Sequence, residues 1–300
     1  MSQGLVTSIQ HYATKDGPGL RTTVFLTGCN LRCAWCANPE SMAPGTKVMY
    51  HAERCRRCGR CVALSEGTIA MGPRGCVIDR TRCGIMDRLP EICDQQAYEA
   101  VGRTMTAKEL AAKLLRDEDF YRTSGGGVTF SGGECLLQAG FVEEVIDLLK
   151  PHGINVALDT AGLWDYAAAA PVIAKADLML YDVKSLDDEV HVRYTGVSNR
   201  PILENLRRLA SAGTALVLRL IVVPSINDSR AELTGRIDLA VGLGRAVRQV
   251  DLLRYHDLAR GKYKALGMDY PMEGLRPQET DLQWALDYGR RQGLKMTIGG

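Results

Sequence analysis

Three cysteines, Cys29, Cys33 and Cys36, stand in the run Cys-Asn-Leu-Arg-Cys-Ala-Trp-Cys. Three thiolates on one tight loop can hold a 4Fe-4S cluster and leave one iron without a protein ligand. A closed structural metal site takes four ligands, yet the residues that follow, Asn38, Pro39, Glu40 and Ser41, include neither Cys nor His. The open iron is where chemistry can occur.

The chain has ten cysteines, nine of them between Cys29 and Cys93, and six of those fall in the stretch from Tyr50 to Gly102, which lacks long apolar runs. That stretch reads as an inserted metal-binding module. Two-cluster ferredoxins use two Cys-x2-Cys-x2-Cys-x3-Cys runs whose fourth cysteines are exchanged between clusters. The first run keeps Cys55, Cys58 and Cys61 but has Ser65 in fourth place; the second keeps Cys83 and Cys93 but has Met86 and Leu89 at its inner positions. Crossing the fourth ligands leaves one cluster with Cys55, Cys58, Cys61 and Cys93 and the other with Cys83 alone. One auxiliary 4Fe-4S cluster is therefore expected, about eight irons per chain in all. Cys76 lies outside both runs, and with Cys83 it forms at best half a site. The plainer reading of Cys55 to Cys93 is zinc, which Cys-x2-Cys pairs also suit.

Short apolar segments at Thr22 to Leu26, Val128 to Phe130, Asn155 to Leu158, Leu178 to Val183, Ala215 to Val223 and Val250 to Arg254 read as strands. Amphipathic spacing over Phe141 to Leu149, Asp165 to Ala174, Glu204 to Ala212 and Arg230 to Leu243 places helices between them. The alternation predicts an α/β fold: a partial (β/α)6 TIM-type barrel of residues 1–49 and 103–300, with a ferredoxin-like module at 50–102. Barrel active sites are built at the C-terminal strand ends. There the sequence puts Cys29, Gly132-Gly133-Glu134, Asp159-Thr160, Asp182 with Lys184, and His256, with Arg219 inside the fifth strand.

Several of these residues have plainer readings. Asp182 and Lys184 point to one face of a strand and suit a buried ion pair as well as a ligand. Gly132-Gly133 can be a tight turn, Gly125-Gly126-Gly127 flexible backbone, His256 a hydrogen-bonded structural histidine, Trp35 packing and Cys135 a small buried thiol. His11, His51, His152 and His191 read as surface or packing residues.

The balance of 37 basic and 35 acidic residues among 300 argues against a nucleic-acid partner. No 18-residue apolar run suggests a membrane span, and Met1 to Gln10 lacks a secretory pattern. A cytoplasmic location follows as an expectation, and in that reducing compartment ten cysteines favour metal ligation over disulfides.

The cysteine spacing, the aromatic Trp35 before the last cysteine and the βα pattern resemble the radical S-adenosylmethionine (radical SAM) superfamily. Asp16-Gly17-Pro18-Gly19-Leu20-Arg21-Thr22-Thr23, Ser131-Gly132-Gly133-Glu134, Asp182-Val183-Lys184, Tyr255-His256-Asp257-Leu258, Lys262-Tyr263 and Leu266-Gly267 narrow the resemblance to glycyl radical enzyme activating enzymes. It implies reductive cleavage of S-adenosylmethionine at the Cys29, Cys33 and Cys36 cluster, giving a 5'-deoxyadenosyl radical that takes a Cα hydrogen from a glycine of a partner enzyme. Gly132, Gly133 and Glu134 would receive the methionine amino group and Lys184 its carboxylate. Arg219 and His256 would contact ribose and adenine, with Trp35 beside the adenine. Asp159, Thr160, Asp182 and the Leu180 carbonyl resemble a monovalent-cation site, and Asp16 would lie near the partner's glycine loop. A flavodoxin or ferredoxin-type reductant is implied. Cys135 departs from the family, which has proline there. Cys36-Ala37-Asn38-Pro39-Glu40-Ser41 is similar to activases of arylacetate decarboxylases, which gives a lean on the partner. The rival readings are a radical SAM enzyme acting on a small molecule and an iron-sulfur electron carrier without a substrate.

Overall fold

The computed structural model describes residues 2–299. The chain opens with β1 (Gln3–Ala13) and β2 (Arg21–Leu26). The inserted region follows: β3 (Lys47–Tyr50), α1 (Arg60–Leu64), β4 (Ile69–Gly72), β5 (Gly75–Ile78), α2 (Leu89–Ile92) and β6 (Tyr98–Val101). Next come β7 (Arg103–Thr106), α3 (Ala107–Leu114) and α4 (Glu118–Ser124). Five strands with their helices complete most of the fold: β8 (Gly127–Gly132) and α5 (Ala139–Leu149), β9 (Asn155–Thr160) and α6 (Tyr166–Lys175), β10 (Leu178–Asp182) with α7 (Asp188–Thr195) and α8 (Arg200–Ser211), β11 (Leu216–Val222) and α9 (Arg230–Gly242), and β12 (Val247–Arg254) with α10 (Arg260–Leu266). The chain closes on α11 (Gln283–Arg291) and β13 (Met296–Ile298).

Nine strands form one sheet in the order β13-β12-β11-β10-β9-β8-β2-β1-β7, which does not close into a barrel. The six strands read from the sequence lie side by side in it and are mutually parallel. Two edges were not anticipated: β1 and β7 add antiparallel strands beside β2, and β13 extends the far side in parallel.

Period-2 alternation sorts the strand side chains into two layers. Val156, Leu158, Met179, Tyr181, Leu216 and Leu218 pack against the helices in the main core. Ala157, Leu178, Leu180 and Val217 form a smaller apolar floor on the other, inner face. Continuing that inner parity toward the C-terminal ends gives Ser131, Asp159, Asp182 and Arg219. The apolar floor thus sits beneath a polar mouth.

The glycine run before β8 is a packing device. A Cβ on Gly126 would collide with the Leu20 carbonyl, and one on Gly19 with the Gly126 backbone, so the Asp-Gly-Pro-Gly loop lies directly on this strand entry. Their near-contact corrects the reading of Gly125-Gly126-Gly127 as flexible backbone.

In the inserted region β3 and β6 pair antiparallel as a neck, Lys47 opposite Val101 and Tyr50 opposite Tyr98. The β4–β5 hairpin pairs only with itself. Arg80 docks this region on α10, donating to the Val48 carbonyl at 2.7 Å and the Ala265 carbonyl at 2.7 Å. Among the described residues no helix is long and apolar enough to cross a membrane.

Candidate active site

The cysteine loop leaves β2 at Leu26 and is clamped from four directions. Gly28 N–H donates to the Ser41 carbonyl at 2.8 Å and Cys29 N–H to the Met42 carbonyl at 2.9 Å, so the returning chain forms one side. Glu134 N–H donates to the Gly28 carbonyl at 2.8 Å, which ties in the end of β8. A Cβ on Gly133 would strike the Gly28 and Ser41 carbonyls, so Gly132-Gly133 serves close backbone approach. Arg32 and Ala34 N–H groups donate to the Thr195 and Tyr194 carbonyls at the end of α7, at 2.7 and 2.8 Å. Lys262 on α10 reaches the Ala37 carbonyl, Asn38 Oδ1 and Glu40 Oε1 at 3.2, 3.0 and 2.6 Å.

Cys29, Cys33 and Cys36 line one cavity of about 470 Å³ at the mouth of the sheet. Burial pushes the Cys33 thiol up to about 11 and Cys36 to about 12, and raises Cys29, while Lys184 draws all three the other way. Such desolvated thiols lose their protons readily only when a metal displaces them from sulfur. Three soft sulfurs converging on a cavity fit a 4Fe-4S cluster with one iron facing that space.

The opposite wall is a charge network. Arg219 donates through Nε to Asp182 Oδ1 at 3.0 Å, pairs with Asp159, and has Asp16 Oδ1 at 4.0 Å. Lys184 Nζ holds Asp182 Oδ2 at 2.8 Å, and Ser131 Oγ donates to Asp159 at 2.6 Å. Thr23 Oγ1 donates to Asp16 at 2.6 Å. Burial opposes ionisation throughout; it raises Asp159 against the pull of Arg219, whereas Lys184 and Arg219 together hold Asp182 down to about 2. Asp182 and Asp159 in turn keep Lys184 and Arg219 charged despite burial. The cavity wall thus carries carboxylates and cations interleaved, Asp159 and Asp182 with Lys184, Arg219 and Arg254. Asp182 and Lys184 form the expected ion pair and both line the cavity.

Glu134 is placed differently from expectation. It is fully buried and turned from the cavity, accepting from Thr160 Oγ1 at 2.8 Å and from the Ala161 and Leu136 N–H groups at 3.0 and 3.2 Å. Burial lifts its carboxyl to about 7. It braces the end of β9 against β8, while its neighbours Gly132 and Gly133 line the cavity. Thr160 lines the cavity but spends its hydroxyl proton on Glu134, and Asp159 and Asp182 are engaged by Arg219 and Lys184. The side-chain oxygens of Asp159, Thr160 and Asp182 assigned to a monovalent cation therefore already have partners. Trp35 is buried 6.0 Å from the Tyr194 ring and borders the cavity, where His256 is exposed at the rim. Cys135 is fully buried and donates to the Asp159 carbonyl at 3.4 Å, the behaviour of an inert thiol. Sequence reasoning marked Lys262-Tyr263 without a role; Lys262 latches the loop, and the buried Tyr263 hydroxyl has no partner among the described residues.

The radical SAM superfamily model matches residues 23–236. The chain belongs to that superfamily. Within it, the chain is a member of the glycyl radical enzyme activating enzymes. The (2S)-3-sulfopropanediol dehydratase activating enzyme of Klebsiella oxytoca is 34% identical across 99% of this chain and 97% of the relative. The benzylsuccinate synthase activating enzyme of Thauera aromatica is 36% identical across 99% and 92%. The pyruvate formate-lyase 2-activating enzyme of Escherichia coli is 32% identical across 98% and 91%. A radical SAM methyltransferase from Sphaerobacter thermophilus, 15% identical, shares the fold with a TM-score of 0.51 over 98% of this chain and 76% of its own.

The cysteines of this radical SAM enzyme's inserted region gather around a small core. Cys61 and Cys83 are buried in it with Ile69, Leu89 and Tyr98; Cys55, Cys76 and Cys93 pack against it, and Cys58 is exposed. Of the expected auxiliary ligands, Cys61 has its sulfur 3.5 Å from that of Cys76, and Cys55 lies close enough to Cys76 to feel it electrostatically.

Proposed function

We propose that this radical SAM enzyme activates a glycyl radical enzyme, removing a Cα hydrogen from one partner glycine. The observation that carries the reading is the convergence of Cys29, Cys33 and Cys36 with Lys184 and the Arg219–Asp159–Asp182 network on one cavity. Full-length similarity to three activating enzymes supports it.

Cys29, Cys33 and Cys36 would hold a 4Fe-4S cluster, whose chemistry would be the one-electron reductive cleavage of S-adenosylmethionine. The chain's own residues bind and orient. Lys184 offers a cation to the methionine carboxylate, and the cavity-lining Gly132-Gly133 backbone receives the ammonium. Trp35 and His256 border the space for the adenine, and Arg219 fixes the carboxylates around the ribose. Asp16, held beside Arg219, faces the incoming glycine loop. The hydrogen transfer needs no protein acid or base; holding radical and glycine in contact and excluding water does the work.

An auxiliary 4Fe-4S cluster in the inserted region belongs to the same reading, with a flavodoxin or ferredoxin-type protein as electron source. The partners named for the relatives are two dehydratases, lyases and a synthase, so a lean toward an arylacetate decarboxylase gains no support. A plain electron carrier would not need a deep charged cavity. The test is anaerobic incubation of reconstituted protein with dithionite and S-adenosylmethionine. Formation of 5'-deoxyadenosine, plus a glycyl signal by electron paramagnetic resonance only with the right partner, is expected. Absence of 5'-deoxyadenosine overturns the enzyme reading, and its formation without a glycyl signal from any glycyl radical enzyme favours a small-molecule substrate.

A further inference from the structure

Cys76 was left without a role by the spacing of the ferredoxin runs, and the fold gives it one. It lies on β5, opposite Met71 across the β4–β5 hairpin. Strand alternation turns Cys76 and Ile78 toward the small core and leaves Val77 63% exposed. The Cys76 N–H donates to Tyr50 Oη at 2.7 Å, and this close approach demands Gly75, whose φ is +117° and whose Cβ would collide with that oxygen. The strand is therefore pinned beside Tyr50, just ahead of Cys55.

Its sulfur lies 3.5 Å from Cys61 Sγ, with Cys55 near enough to interact electrostatically. Two tilted tyrosine rings, with centroids 4.9 Å apart, bring hydroxyls to this thiol cluster: Tyr98 donates to Cys61 Sγ at 3.5 Å, and Tyr50 sits against the Cys76 N–H. Hydroxyl donors aimed at thiolates are the surroundings that iron-sulfur sites use to set their potential. Cys76 also lines the groove between the inserted region and α10, together with Lys262 and Ala265. Cys93 caps the C-terminus of α2 and packs against the same core, with no thiol contact to Cys55 or Cys61 among the described residues.

We infer that Cys76 is the fourth thiolate of the auxiliary 4Fe-4S cluster, completing Cys55, Cys58 and Cys61 in place of Cys93. The inference rests on the proposed auxiliary cluster. On loading, the thiol proton leaves to solvent and sulfur bonds to iron, with no change of oxidation state. Sulfurs now in contact must separate to span a cluster. A hairpin that pairs only with itself can give way without breaking a larger sheet.

The test uses the full chain carrying C29A, C33A and C36A, reconstituted anaerobically, so that only the auxiliary cluster remains. About four irons and four sulfides per chain are expected by cluster stoichiometry. Adding Cys76→Val, which fills the same space without a ligand, should abolish or strongly reduce iron and visible absorption, whereas adding Cys93→Val should leave both. Adding Cys76→Ser should retain part of the iron with a changed paramagnetic signal and a lower reduction potential, which a merely packed cysteine would not produce. Full iron and an unchanged potential and signal in the Cys76 variants overturn the assignment while the auxiliary cluster stands. An iron-free parent variant overturns the auxiliary cluster and the assignment with it.

Discussion

Arg219 Nε donates to Asp182 Oδ1 at 3.0 Å while the same guanidinium pairs with Asp159, so a single cation ties two neighbouring strand ends together inside the sheet. Removing one partner of a buried ion pair costs about 3–5 kcal/mol, because the charges left behind stay desolvated. Arg219→Met leaves Asp16, Asp159 and Asp182 facing Lys184 alone. Urea unfolding should show a loss of that size, about 3–5 kcal/mol, partly restored by lysine. A loss below about 1 kcal/mol would mean the network is solvated rather than buried.

Lys184 is held by Asp182 at 2.8 Å, is nearly buried, and borders the cavity with Cys33. A hydrogen bond to a charged group contributes about 1.5–3 kcal/mol. Lys184→Met should therefore raise the S-adenosylmethionine concentration for half-maximal 5'-deoxyadenosine formation by roughly 10- to 100-fold. Iron content should be unchanged. An unchanged concentration dependence would remove Lys184 from the carboxylate role.

How far the sequence foretold this site depends on range. The six parallel strands and their polar ends were legible because each is set by local alternation and by the residue that follows it. β13, with three residues, and the β1–β7 edge were not, since those pairings join Gln3–Val6 to segments a hundred residues away. The side of β8 on which Glu134 lands is decided by Thr160 and Ala161 of the adjacent strand end, which no spacing within β8 reveals. The approach of Cys76 to Cys61 was hidden for the same reason: the ferredoxin spacing counts along the chain, while that 3.5 Å contact joins β5 to α1.

Glu134 makes stability depend on pH. Burial lifts its carboxyl from 4.5 to about 7, so the folded chain holds this proton more tightly than the unfolded one. The folded state then binds more protons between these values, and stability is fullest below about 4.5 and falls as pH rises through about 7, by about 3 kcal/mol in all. Glu134→Gln cannot ionise and should flatten the curve over that range. It should also cost about 1–3 kcal/mol at low pH, since an amide offers one acceptor oxygen where the carboxyl group serves Thr160, Ala161 and Leu136. Parallel stability curves for the two proteins, measured by urea unfolding from about pH 4 to pH 8, would contradict this.

Tyr263 carries a different kind of unbalanced group. It is 1% exposed, its ring meets Tyr270 edge-on at 5.1 Å, and its hydroxyl has no partner among the described residues. Burial, with Cys36 and Cys33 close by, pushes its ionisation upward, so the group stays protonated and remains a donor. An unsatisfied buried hydroxyl costs about 1–3 kcal/mol. Tyr263→Phe should therefore stabilise the iron-free protein by about 1 kcal/mol or more. With iron and sulfide bound at the neighbouring cysteines, the hydroxyl gains sulfur acceptors, and hydrogen bonds to sulfur raise a cluster's reduction potential. The stabilisation should then shrink or vanish in the loaded protein, and the variant's potential, followed by electron paramagnetic resonance in a redox titration, should be lower than that of the parent. Equal stabilisation of both forms with an unchanged potential would show that the hydroxyl points away from the cluster.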